Sequence, residues 1–345
     1  MTDAQNDGSK MSGDLSRSGQ TGASGRLILL LGSPRSGTTW LAKILDTYAG
    51  VLYLHEPLRK FRDVDPESVL SRVAEGKAIS SSEHQAVLAE MTRAKARCVR
   101  PPFFPKSYRV APPWLLHLAW LSSGLPCLGP GLFGKLYNWQ NSERHDVLLK
   151  EVDWHPGLSD AEGLDPEHLI IIVRHPCAVV CSRLTGMRLG LLPGHNRAAR
   201  VNLNADRIKA AGFSPADVKR MSDWEFYALD WLLENQGYRA MAARHCNSST
   251  VTFESLCHDP VSTAEKLFLW LGWKFGRSTH HFIRSSTSGS WSTTLLNRTS
   301  KRKWYYGIYR DSEAETTKWR HLLRPRQIED ILAVVRSFPL TDWAE

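Results

Sequence analysis

The stretch Leu27-Ile28-Leu29-Leu30-Leu31-Gly32-Ser33-Pro34-Arg35-Ser36-Gly37-Thr38-Thr39-Trp40 carries the strongest signal in the chain. An uninterrupted apolar run ends at Gly32, a short loop with a second glycine follows, and an apolar helical pattern begins near Thr38. This order predicts a buried strand, a phosphate-binding loop and a helix. Backbone N–H groups of the loop and the positive end of the helix dipole would then converge on one anion.

The loop differs at one position from that of nucleotide triphosphatases. Their pattern requires a lysine directly after the second glycine, where it contacts the β- and γ-phosphates. Here Thr38 holds that position, and the loop's own cation is Arg35. The sequence also lacks a clear Walker-B aspartate at the end of a strand. A kinase that uses ATP and magnesium is therefore the disfavoured alternative with the same fold.

Residues 34–41 match the signature P-[KR]-x-G-T-T-W-L at every specified position, so this segment resembles the sulfotransferase superfamily. The resemblance implies an α/β, P-loop NTPase-like three-layer fold in which helices flank a central parallel sheet. It implies 3′-phosphoadenosine 5′-phosphosulfate (PAPS) as the donor, and its mechanism requires no metal. The resemblance assigns contact with the 5′-phosphosulfate to the loop residues Ser33, Pro34, Arg35, Ser36, Gly37, Thr38, Thr39 and Trp40.

A second motif follows the apolar run of residues 169–173. It reads Arg174-His175-Pro176, and a helical pattern begins at the proline, which suits a first helical turn. In sulfotransferases a serine follows this arginine by eight residues, as Ser182 does here. The resemblance implies that Arg174 and Ser182 hold the donor's 3′-phosphate. The chemistry fits, because arginine offers a fixed fork of donors to a phosphate and serine adds a hydroxyl.

Sulfuryl transfer needs charge stabilisation at the leaving oxygen and a base for the acceptor proton. Arg35 is the expected cation. Glu56 is one candidate base, because it follows a short apolar run in a Glu-Pro segment similar to that of carbohydrate sulfotransferases. His155 is the alternative base, from a looser likeness to the histidine segment of the cytosolic enzymes. Arg298 belongs to a basic loop expected to cover the nucleotide.

The rest of the chain sets the expected domain organisation. Residues 1–25 are rich in Ser, Gly and Asp and predict a disordered tail before one sulfotransferase domain over 26–345. Residues 98–140 interleave aromatic and basic side chains. They form either an acceptor-binding insert, with membrane contact as one variant, or a cap that completes the core. Residues 215–243 predict one helix, and residues 279–312 predict a basic loop.

The chain has 44 Lys and Arg against 35 Asp and Glu, a formal net charge of +9. This balance suits PAPS and its product PAP (adenosine 3′,5′-bisphosphate), whereas the scattered basic residues indicate no nucleic-acid partner. The six cysteines lack metal-ligand spacing, and no apolar run is long enough to span a membrane.

We therefore expect a cytoplasmic enzyme. Its expected acceptor is a hydroxyl of a carbohydrate or of a glycosylated or lipidic metabolite. A non-catalytic nucleotide-binding protein, attached to a membrane or a partner through residues 98–140, is the alternative from another class.

Overall fold

The computed structural model describes residues 25–57, 95–123, 129–141, 145–152, 166–192, 197–288 and 305–339. At its centre lies a parallel five-stranded sheet in the order β2-β3-β1-β4-β5. The strands are β1 (Leu27–Leu31), β2 (Val51–His55), β3 (Asp146–Glu151), β4 (His168–Val173) and β5 (Ser248–Thr252). Because β1 is central, the loop that follows it emerges in the middle of the sheet's carboxyl edge.

The described residues also form thirteen α-helices and a short 3₁₀ helix at Lys95–Cys98. The α-helices are α1 (Thr38–Asp46), α2 (Pro113–Ser122), α3 (Gly129–Asn138), α4 (Pro176–Arg188), α5 (Arg197–Leu203), α6 (Ala205–Ala210), α7 (Pro215–Arg220), α8 (Asp223–Arg244), α9 (Phe253–His258), α10 (Pro260–Trp270), α11 (Arg277–Thr287), α12 (Ser312–Leu322) and α13 (Pro325–Val334). Within the described ranges, none of these helices combines the length and apolar character that a membrane crossing requires.

Alternating residues of the central strand sort the core into two layers, as the two-residue period of a strand requires. Leu29 and Leu31 pack on one side with α4, α8 and α13, whereas Ile28 and Leu30 pack on the other with α1, α10 and α11. All four side chains are at most 1 % exposed, and burying each contributes roughly 2 kcal/mol. The predicted three-layer α/β fold is therefore confirmed.

The inner side of the segment 98–140 joins this core. Its described parts, 98–123 and 129–140, contribute the buried rings of Phe103, Tyr108, Phe133 and Tyr137. Lys106 connects the segment to the end of helix α1, because its ammonium donates hydrogen bonds to the carbonyl oxygens of Asp46 and Tyr48. The segment is thus packed against the domain through both apolar rings and a buried charge.

Two stretches differ from the sequence-based prediction. The single helix expected over 215–243 is two helices, α7 and α8, because a capping box at Ser222 and Glu225 begins a new helix there. The basic loop expected over 279–312 contains most of α11 and ends at the first residue of α12. Of the predicted tail, residues 1–24 lie outside the described residues.

Candidate functional site

Two glycines let the loop between β1 and α1 lie close to its neighbours. A Cβ atom on Gly32 would lie 2.5 Å from the carbonyl oxygen of Ile172 in β4. Gly37 has a φ of +90°, and a Cβ atom there would lie 2.4 Å from the ring of Phe253. Any larger residue at either position would push the loop away from the sheet, so both glycines are required by the geometry.

The loop presents several hydrogen-bond donors to an anion. Arg35 adopts a left-handed φ of 80°, and the Ser36 N–H donates to the Ser33 carbonyl oxygen at 3.0 Å, which closes a tight turn. No described side chain caps α1 at Gly37, so the first N–H groups of the helix are left to another acceptor. The buried Ser36 hydroxyl also lacks a hydrogen-bond partner among the described residues. A phosphate or sulfate oxygen would satisfy these donors.

Other side chains of the loop anchor it to the core. The Ser33 hydroxyl accepts a hydrogen bond from Asn235 of α8 at 2.9 Å. The indole N–H of Trp40 donates to Ser286 of α11 at 3.0 Å. These two side chains hold the loop between both helical layers. Of the remaining predicted members, Pro34 is a half-buried loop residue, and Thr38 and Thr39 are the first two residues of α1, buried and half-buried respectively.

Arg35 connects the loop to the second sequence motif. Its Nε atom donates to the Oγ atom of Ser182 on α4 at 3.0 Å, and one Nη atom donates to the Tyr305 carbonyl oxygen at 2.8 Å. The guanidinium carbon lies 4.1 Å from the centre of the Tyr305 ring, a cation–π contact. Burial lowers the pKa of Arg35 to about 10, so the side chain is cationic at neutral pH.

Arg174, directly after β4, lies beside the same loop. One of its Nη atoms donates to the carbonyl oxygen of Arg35 at 3.1 Å, and its guanidinium lies 4.1 Å from the centre of the Phe253 ring. Its Nε atom is buried and has no hydrogen-bond partner among the described residues. Burial lowers the pKa of Arg174 from its ordinary value. The structure thus places Arg35, Arg174 and Ser182, which come from two separate motifs, in one site.

These residues line an open cleft, and the roughly 390 Å³ of empty space in it includes space that is open to solvent. Four cations and one carboxylate contribute to its lining, together with the Ser182 hydroxyl. The charged groups are Arg35, Arg174, Arg310, Lys318 and Glu315. Such a surplus of positive charge favours a ligand that carries several negative charges.

Glu315 of α12 is the counter-charge within this cleft. Its carboxylate lies 3.0 Å from Arg310, 3.3 Å from Lys318 and 3.6 Å from Arg174. Burial raises the pKa of the Glu315 carboxyl, but the three cations outweigh this effect and hold the pKa below its ordinary value. Glu315 is therefore ionised at neutral pH, and an incoming phosphate would compete with it for the same cations.

Tyr305 lies in no recognisable sequence motif, yet it supports both motifs at once. Its carbonyl oxygen accepts from Arg35 and Arg310, and its hydroxyl donates to the Ser182 carbonyl oxygen at 2.9 Å. Gly186 makes room for this hydroxyl, because a Cβ atom on Gly186 would lie 2.2 Å from it. No sequence motif indicates Arg310, Glu315 or Lys318 either.

The second candidate catalytic region lies two strands away along the same edge of the sheet. Glu56 follows β2, and its carboxylate accepts a hydrogen bond from the buried ammonium of Lys150 in β3. The Glu56 N–H donates to the Lys150 carbonyl oxygen at 2.8 Å, which holds Glu56 at an unusual φ of 49°. Burial lowers the pKa of Lys150, whereas the Glu56 carboxylate opposes this shift. The strand spacing puts Glu56 about 10 Å from the end of β1.

Two predicted residues are not placed. His155, the alternative base, and Arg298, the residue expected to cover the nucleotide, lie outside the described residues. Among the residues that are described, no group of three or more His, Cys, Asp or Glu side chains is arranged to hold a metal ion.

Comparison with known proteins gives similarity in structure alone. No protein-family model and no curated protein matches the chain. A sulfotransferase domain from the curacin biosynthetic pathway is 13 % identical, with a TM-score of 0.42 over 90 % of this chain and 97 % of that domain. A sulfotransferase domain from the Synechococcus PCC 7002 olefin synthase is 15 % identical, with a TM-score of 0.44 over 92 % and 96 %.

A mouse sulfotransferase complexed with PAP is 14 % identical, with a TM-score of 0.45 over 92 % of this chain and 89 % of the mouse protein. At these identities and TM-scores the similarity carries no argument about the chain's activity. Any assignment of activity therefore depends on the residues of the cleft and of the sheet edge described above.

Proposed function

We propose that this protein is a PAPS-dependent sulfotransferase that transfers a sulfuryl group to an acceptor hydroxyl. The observation that carries the proposal is the meeting of Arg35, Arg174 and Ser182 in one cationic cleft. The donor carries one anion at each end of its nucleoside, the 5′-phosphosulfate and the 3′-phosphate. A loop with free N–H donors beside an arginine-lined cleft offers a separate site to each.

The unsatisfied donors fit this ligand. The Ser36 hydroxyl and the uncapped start of α1 lie where the 5′-phosphosulfate would bind. The buried Nε atom of Arg174 would donate to the 3′-phosphate, together with the Ser182 hydroxyl. Buried polar groups without partners are costly, so a ligand that satisfies both sets would gain affinity from each.

In the proposed reaction the acceptor oxygen attacks sulfur, and the bond from sulfur to the bridging phosphate oxygen breaks. PAP leaves with the electron pair of that bond, and the acceptor proton passes to a base. Arg35 and the loop N–H groups stabilise the charge that develops on the leaving oxygen. We assign the base to Glu56, which Lys150 orients at the same sheet edge. His155 is the alternative.

We further propose that the acceptor is a hydroxyl of a carbohydrate or of a glycosylated or lipidic metabolite. The support is the Glu-Pro segment at Glu56 and Pro57, which is similar to that of carbohydrate sulfotransferases. The segment 98–140 is the candidate for acceptor recognition, since several of its aromatic rings lie beside basic side chains of the same segment.

A transfer assay with radiolabelled donor tests the proposal. The purified protein is incubated with ³⁵S-labelled PAPS and separate panels of sugars, glycosides and lipid alcohols, and labelled products are counted. We expect label in at least one hydroxyl acceptor, and about 10²- to 10³-fold slower labelling with the Arg35→Ala variant. Phosphate transfer from ATP with magnesium, and no sulfuryl transfer from PAPS, would contradict the proposal and favour a kinase.

A further inference from the structure

The segment 98–140 exposes a concentrated apolar surface. Among the described residues nine large apolar side chains are exposed, and six of them lie between residues 110 and 139. We call these six side chains the apolar patch, which consists of Val110, Trp114, Leu118, Leu121, Leu132 and Trp139. Isolated exposed apolar residues are ordinary on a protein surface, but a cluster of this kind marks an interaction site.

Helix α2 provides half of the patch. Trp114, Leu118 and Leu121 follow helical spacing, so they share one face, and they are 64 %, 56 % and 69 % exposed. The other side of the helix is occupied by Leu116 and Ala119, which are buried in the core. The ten residues of α2 include no charged side chain. Helix α2 therefore buries one side in the core and exposes a second apolar side to solvent.

The segment that carries the patch contains charge of one sign. Residues 98–141 contain four basic residues, Arg100, Lys106, Arg109 and Lys135, and no Asp or Glu. Lys135 is exposed and lies one helical turn from Leu132 on α3, so its charge can reach a surface that contacts the patch. Two of the six patch residues are tryptophans, a residue type that favours the boundary between water and lipid.

We propose that the apolar patch docks this protein on an anionic lipid surface, with Trp114, Leu118 and Leu121 inserted among the headgroups. An apolar helix face with a neighbouring cation and no acidic residue in the same segment is the combination that interfacial helices use, and anionic lipids attract that cation. A symmetric contact between two copies fits less well, because it would bring Lys135 of both copies to the same interface. The inference does not depend on the proposed sulfuryl transfer.

Vesicle co-sedimentation tests the inference with the full-length protein. One set of vesicles is phosphatidylcholine, and the other is phosphatidylcholine mixed with phosphatidylglycerol. We expect the wild type to pellet with the anionic vesicles and the double variant Leu118→Glu/Leu121→Glu to bind at least about tenfold more weakly, because it removes apolar insertion and adds like charge. Lys135→Glu should lower binding to anionic vesicles severalfold.

Leu269→Glu is the matched control, because Leu269 is 79 % exposed on α10, outside the patch. This variant should pellet like the wild type, and thermal unfolding should show that all variants remain folded. A wild type that stays in the supernatant with both kinds of vesicle would overturn the inference, as would equal pelleting of the double variant. So would a dimer in light scattering that the double variant dissociates while vesicles bind neither protein, because the patch would then join two copies.

Discussion

The Nε atom of Arg35 lies 3.0 Å from the Oγ atom of Ser182, although the two residues are 147 positions apart in the sequence. This hydrogen bond joins the loop after β1 to helix α4, which follows β4. Tyr305 reinforces the junction from a third part of the chain, since it bonds to Arg35 through its carbonyl oxygen and to Ser182 through its hydroxyl. A chain of hydrogen bonds therefore links the two ends of the proposed donor site.

Replacement of Arg35 by alanine should lower the rate of sulfuryl transfer at saturating donor by about 10² to 10³, the usual loss when a charge-stabilising donor is removed. Because Arg35 also holds Ser182, the affinity for PAP should fall in the same variant. Steady-state kinetics and a binding titration measure the two effects separately. A variant that loses PAP affinity but keeps the wild-type rate at saturating donor would show that Arg35 only positions the nucleotide.

Replacement of Arg174 by alanine should weaken PAP binding about 10- to 100-fold, which corresponds to the loss of hydrogen bonds to a charged group. Binding of adenosine 5′-phosphosulfate, which lacks the 3′-phosphate, should change little. Arg188→Ala is the matched control, because Arg188 is an exposed arginine on the same helix as Ser182. Equal losses for the two nucleotides would contradict the role of Arg174 at the 3′-phosphate.

The strands were the most predictable elements, for a physical reason. Helices cover both faces of the sheet, so β4 reads as an unbroken apolar run over residues 169–173, and the structure places the strand at His168–Val173. Helix α11 was missed because two of the four residues on its buried face are Thr279 and Ser286, which read as polar. The sequence did contain the signal that separates α7 from α8, namely the Ser222–Glu225 capping box.

The sequence predicts only those residues of the candidate site that belong to a short motif directly after a strand. Arg35, Arg174 and Ser182 each follow a recognisable strand, and the parallel sheet then brings their loops to one edge. Tyr305, by contrast, contacts Arg35 from 270 residues away, and no pattern around Tyr305 indicates a phosphate site. Glu315 is similar, because its importance comes from the three cations that the fold collects around it.

Glu56→Gln should lower the transfer rate by about 10² to 10⁴ if Glu56 is the base, while PAP affinity stays close to that of the wild type. The variant also leaves the buried ammonium of Lys150 without its carboxylate partner, so its stability should fall by a few kcal/mol. The double variant Glu56→Gln/Lys150→Met removes that charge and should regain stability but not activity.

Thermal unfolding and single-turnover rates distinguish these effects. A double variant that transfers sulfuryl groups at the wild-type rate would exclude Glu56 as the base. In that case His155→Ala becomes the decisive variant.

Glu315→Gln should tighten PAP binding by about tenfold, or ~1.4 kcal/mol, because it removes the carboxylate that competes with phosphate for Arg174, Arg310 and Lys318. Glu313→Gln, an exposed change of the same kind on α12, should have no such effect. Calorimetric titration measures both variants. Weaker binding in the Glu315 variant would mean that this carboxylate orients the cations for the ligand instead of competing with it.

Calorimetric titration of the wild-type protein with PAP, and in parallel with ATP and magnesium, tests the central claim most directly. We predict tight binding of PAP and weak binding of ATP, because Arg174 and Ser182 lie in the cleft where a 3′-phosphate would reach them and Thr38 replaces the lysine that ATP requires. The opposite preference, with ATP bound tightly and PAP weakly, would contradict the assignment of the cleft to a bisphosphorylated donor.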